Sequence, residues 1–156
     1  MIIDIEKYFE TSYWILDILP EQVPADGGGQ YFAIEKYFLT SPVVDSIYQK
    51  FANVILKLNC YYDISVCEAA GDEWVHNPEP EVLLQMVMKR QPLLVLLENA
   101  QAMISITGDD HNMTLYNPND EVLELTSALA AAEGLFVWQP QITTDDRETY
   151  NSKYHQ

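Results

Sequence analysis

Three times in this chain a small polar residue and a proline stand at the head of an amphipathic run: Ser41-Pro42, Asn77-Pro78 and Asn117-Pro118. Ser and Asn side chains accept hydrogen bonds from the unpaired amides of a first helical turn, and proline at the first helical position gives up no donor the helix needs. Each pair therefore predicts a helix start. After the first, Val44, Ile47, Phe51, Val54, Ile55 and Leu58 recur at spacings that line one face of a helix over about 42–58. After the second, Val82, Leu83, Met86 and Val87 mark a helix over about 79–89, with Lys89 and Arg90 where cations suit the helix dipole. After the third, Val122, Leu125, Leu129 and Ala132 lead to Gly134, the residue best able to take the left-handed conformation that ends a helix.

Between these runs lie segments too short for stable helices and bounded by turn residues. Residues 61–67 alternate, with Tyr62, Ile64 and Val66 on one face, and residues 93–97 form the continuous apolar run of a central strand buried on both faces. Residues 102–107 and 113–116 flank Gly108-Asp109-Asp110-His111, which reads as a β-hairpin turn. Residues 135–138 suit a strand at an edge or beside the first strands. Residues 13–19 fit a strand better than a helix, although Ile5, Tyr8, Phe9, Ser12, Leu16 and Leu19 keep a helical spacing. Residues 30–39 alternate Phe32, Ile34 and Phe38 against Tyr31, Ala33 and Tyr37, as a strand would, after a connection rich in Pro and Gly over 20–30. Ile-Glu-Lys-Tyr-Phe occurs at 5–9 and again at 34–38, too short an echo to be a repeat. The expectation is a single α+β domain over 1–140, a mainly antiparallel sheet of five or more strands with about three helices. Residues 141–156 are polar and unpatterned, as in a flexible C-terminal tail.

Composition narrows the function classes. At 156 residues and 48% hydrophobic, the chain has the length and apolar content of one domain with a real core. Its 24 Asp and Glu against 8 Lys and Arg give a formal net charge of -16, which disfavours direct contact with nucleic acid. The longest apolar run, residues 92–97, falls far short of a bilayer span, and Met1-Ile2-Ile3-Asp4-Ile5-Glu6 lacks the basic start of a secretory signal; a cytoplasmic location is expected. Cys60 and Cys67 form neither a disulfide framework nor a zinc spacing, and both read as reduced small hydrophobes. Gly27-Gly28-Gly29 lacks the terminal Lys of a phosphate-binding loop, so no cofactor is implied.

The acids are unevenly spread, since Lys and Arg are absent from Gln91 through Asp146. Solvated surface faces account for such runs in many proteins. The sharper expectation is one electronegative surface, made by Asp109 and Asp110 of the hairpin turn and Asp120, Glu121 and Glu124 of the third helix, that meets a basic protein. The acidic loop Asp72-Glu73-Trp74 would add an exposed aromatic anchor. Asp109, Asp110 and His111 also form the one compact cluster of metal-capable side chains, which needs further ligands such as His76 or Glu98. His76 otherwise reads as a surface or capping histidine. Cys67 with His76 or His111 has the chemistry of a nucleophile pair, but no flanking motif supports it, and no residue is assigned to catalysis.

Residues 113–118, Met-Thr-Leu-Tyr-Asn-Pro, then the acidic amphipathic helix and residues 133–138, Glu-Gly-Leu-Phe-Val-Trp, give the chain a resemblance. With its size, acidity and α+β pattern, it resembles immunity proteins of bacterial polymorphic-toxin and contact-dependent inhibition systems. The resemblance implies a protein that binds one cognate toxin, often a basic nuclease, and occludes its active site or substrate access. Two rival expectations stand beside it: a small metal-dependent enzyme using Asp109, Asp110 and His111, and an adaptor that self-associates through an aromatic sheet edge.

Overall fold

The computed structural model describes residues 4–25, 29–68, 71 and 73–140; the expected C-terminal tail, the glycines at 27 and 28 and Asp72 lie outside them. A 3-10 turn over Glu6–Glu10 precedes β1 (Tyr13–Asp17), α1 (Tyr31–Phe38), α2 (Val43–Leu58), β2 (Ile64–Glu68), β3 (Val75–His76) and α3 (Pro80–Met88). There follow β4 (Leu93–Leu97), β5 (Ala102–Ile106), β6 (Asn112–Tyr116), α4 (Asp120–Ala132) and β7 (Phe136–Trp138). The strands form one sheet in the order β3-β2-β4-β5-β6-β1-β7, every neighbouring pair antiparallel. The α+β expectation holds, with one helix more than the sequence suggested.

The core lies between the helices and one face of the sheet. α2 buries Val44, Ile47, Phe51, Val54, Ile55 and Leu58, the residues that carried its periodicity, against Ile64, Val95, Ile104 and Leu115 of the strands. Each such side chain contributes about 1.5–3 kcal/mol of burial. On the opposite face Tyr8 of the 3-10 turn meets Leu96 and Met103, with Trp74 and Tyr116 beside them. Alternate residues of β4 thus enter two clusters, as a strand buried on both faces requires.

All three predicted helices form, but the polar-proline pairs do not cap them. The N-cap residues are Pro42, Glu79 and Asn119, and only Asn119 caps with its side chain, accepting from the Val122 amide at 2.8 Å. Ser41 instead donates to Asp45, and Asn77 is spent joining loops, accepting from the Ile64 amide at 2.9 Å. The stop at Gly134 is as expected. Its φ of 79° lets the Leu135 and Gly134 amides reach back to the carbonyls of Ala130 and Ala131.

Residues 31–38 correct the strand expectation: they are helical. The inward-leaning positions are Tyr31, Glu35 and Phe38, a spacing of four and three, and Tyr31 closes the turn with a 2.7 Å bond to Glu35. The hydrophobic alternation there was incidental, for Phe32 and Ile34 face solvent. The repeated pentapeptide is helical in both places, as a 3-10 turn and as part of α1.

Candidate functional site

The β5–β6 turn is the hairpin the sequence predicted, and it carries His111 into the interior. Gly108 makes the turn possible: its φ is 96°, and a Cβ there would stand 2.4 Å from the Arg90 carbonyl oxygen. The adjacent Tyr48 hydroxyl donates to the Asp110 carbonyl at 2.7 Å and ties the turn to α2; burial pushes that phenol up to about 12.

His111 lies between β1 and α1. Its Nδ1 is 2.7 Å from Oδ1 of Asp17 on β1, and both side chains are only 3% exposed. Its Nε2 is 2.9 Å from the Tyr31 hydroxyl and 3.5 Å from Glu35 Oε2, both on α1. Tyr31 donates to Glu35, so its oxygen is left to accept from Nε2 of a doubly protonated ring. The hydrogen bond to Asp17 raises the His111 pKa, and burial opposes it. The Tyr31 phenol is pushed above its ordinary range, first by burial and then by Glu35. Asp110 Oδ1 accepts from the His111 amide at 2.9 Å. A cavity of about 370 Å³ opens beside the cluster, lined by Asp17, Tyr31, Phe32, His111, Asn112 and Trp138 together with the 21–25 loop.

The trio Asp109, Asp110 and His111 therefore needs correcting. Asp109 is exposed and outside the cluster, and Glu35 occupies its place beside Asp110 and His111. No sequence signal linked Glu35 or Asp17 to the turn, because both arrive through tertiary packing. His76 and Glu98 do not join either. Leu93 pairs with Ile106 and Leu97 with Ala102, so Glu98 follows β4 at the end of the sheet opposite the turn.

At that far end His76 Nδ1 is 3.0 Å from Glu98 Oε1, and Ser65 donates to the same oxygen. Those two donors, Ser65 foremost, hold the Glu98 carboxyl below its usual range. The order is Ser, Glu, His, with the carboxylate between the other two. The imidazole is therefore not positioned to take the serine proton, as a nucleophilic triad would need. Cys60 is exposed and Cys67 buried in β2, with no disulfide between them.

The proposed electronegative surface divides in two. Asp120, Glu121 and Glu124 are exposed on the first turns of α4, and Asp109 is exposed with Asp110 half-buried at the turn. β6 separates the two groups by its five residues, about 17 Å. Glu73 is exposed, whereas Trp74 is half-buried against Leu96 and Met103 and is not the exposed anchor expected. The stretch without cations also gains them in space. Lys57 of α2 bonds Glu133 at 2.9 Å, and that bond, with the charges of Lys57 and Lys50, helps to hold the carboxyl below its usual range. Asp120 and Glu121 suit the positive end of α4. Even so, among the described residues none of Asp120, Glu121 and Glu124 forms an ion pair. The Tyr62 phenol is raised by burial and then by Glu121.

No protein-family model, curated protein or solved structure matches the chain. Among the described residues no helix is long and apolar enough to cross a membrane.

Proposed function

We infer that the protein is a binding module for a basic protein, with an immunity protein that occludes a cognate toxin as its concrete form. The observation that carries this reading is the trio Asp120, Glu121 and Glu124: exposed, on consecutive turns of one helix, and without an ion-pair partner among the described residues. Asp63 and Glu98 lie at the same end of the sheet and extend the negative field, with His76 paired to Glu98. Such a field accelerates encounter with a cationic surface and sets its orientation more than it adds affinity. The hairpin acids belong to a separate patch and are no part of this surface.

The test is capture of a partner from native lysate by the wild type and by a variant carrying Glu121→Lys and Glu124→Lys. A stoichiometric basic partner, released by salt and lost in the variant, supports the reading, and its activity can then be assayed with and without the bound protein. Association that survives the reversal, or is indifferent to salt, rejects it.

A further inference from the structure

We propose that Glu35, Asp110 and His111 form a binding site for one divalent transition-metal ion, with Zn²⁺ as its probe. One ligand atom from each of the three lies within 4.8 Å of the other two. The 3.5 Å between His111 Nε2 and Glu35 Oε2 matches the spacing of about 3.4 Å between two donors of a tetrahedral ion with bonds of about 2.1 Å. One imidazole with two carboxylates is a donor set for zinc or a similar ion; calcium and magnesium favour oxygen alone, and cuprous ions favour sulfur.

Two observations outside the three ligands point the same way. Asp17, buried with its oxygen 2.7 Å from His111 Nδ1, supplies the outer carboxylate that metal-binding histidines use to fix the ring. The ion takes the place of the proton that Nε2 otherwise donates to Tyr31, and that proton is released to solvent. Tyr31 holds Glu35 in the same manner, donating at 2.7 Å. The charge balance is the second observation. Asp17, Glu35 and Asp110 surround one imidazole, and among the described residues no Lys or Arg forms an ion pair with any of them. An ion would compensate that excess, and His111, of the three ligands, lines the neighbouring cavity together with Asp17 and Tyr31. The site lies at the end of the sheet away from the acids of α4, and it stands independently of any partner held there.

The experiment is titration of untagged, chelator-stripped full-length protein with Zn²⁺, repeated with Co²⁺ to read the ligand field. The result expected is one ion per chain, a Co²⁺ spectrum of nitrogen and oxygen ligation, and affinity at least about tenfold weaker in Glu35→Gln and in Asp110→Asn. Asp109→Asn and the double variant Glu121→Gln with Glu124→Gln should bind as the wild type does. Glu35 is the ligand to change first, because α1 has no fully buried residue and its surface tolerates an isosteric amide. Unchanged affinity in Glu35→Gln overturns the site. So does equal weakening in the α4 variant, which would mark diffuse attraction to an acidic protein, or the lack of any stoichiometric binding.

Discussion

His111 and His76 make the same contact, a ring Nδ1 against one carboxylate oxygen, at 2.7 Å and 3.0 Å. What differs is the medium. The His111 and Asp17 side chains are each 3% exposed, whereas those of His76 and Glu98 are 59% and 29% exposed. Water competes for the second pair and screens it; protein must satisfy every remaining atom of the first. Only His111 is therefore held from three sides, by β1, α1 and its own turn. A histidine beside a carboxylate gains organising power from burial and not from the contact itself.

The strongest way to break this comparison is to remove one partner of the buried pair. Asp17→Ala should cost about 3–5 kcal/mol, since it strands a buried imidazolium, and urea unfolding measures it. A loss below about 1 kcal/mol would mean that burial confers nothing and the two pairs are equivalent. Gly108→Ala attacks the turn beneath His111 by demanding a left-handed alanine against the Arg90 carbonyl. It should destabilise by more than about 1 kcal/mol in the same measurement. Tyr31→Phe removes the hydroxyl between Nε2 and Glu35 and should cost about 1 kcal/mol, visible as a lowered thermal midpoint.

The exposed pair sharpens the contrast through smaller effects. His76→Ala should change stability by no more than about 1 kcal/mol, and added salt should shrink that difference. Glu98 titrates below its ordinary 4.5 because Ser65 and His76 donate to its charged form. Its contribution is full above that ordinary value and is lost as the pH falls through the lowered one. Glu98→Gln should thus flatten the acid limb of the stability profile, read from denaturation midpoints: the variant is slightly the less stable at neutral pH, and the difference closes as the pH falls below about 4.5.

Much of the fold was legible because its signals are local. The spacing of Val44 through Leu58, the stop at Gly134 and the run from Leu93 to Leu97 each depend on a few neighbouring residues, and each stands where expected. The helix entries were right in place but wrong in mechanism, since the Asn77 side chain joins two loops and Asn119 takes the cap. α1 was misread because its inward face puts Glu35, which no hydrophobic pattern counts, between Tyr31 and Phe38, while the apolar Phe32 and Ile34 face solvent. The candidate site was legible only in part for the same reason. Asp110 and His111 are neighbours in sequence, but Asp17 and Glu35 come to them through β1 and α1. The two acidic groups were joined although the strand expected over 113–116 stands between them, and the length of β6 keeps them about 17 Å apart.

The position of β1 in the sheet has a consequence for how the chain assembles during synthesis. β1 leaves the ribosome before the other described strands, yet its neighbours are β6 and β7, so Asp17 waits for Asn112 and Ile15 for Trp138. The block from β2 to β5 can zip together by successive neighbours, whereas β1 closes its pairings only after nearly all the described residues exist. Such distant pairing slows folding and leaves an unpaired strand open to wrong partners in the interval. The buried pair of Asp17 and His111 then forms at this last closure, on the strand that arrives first and pairs late.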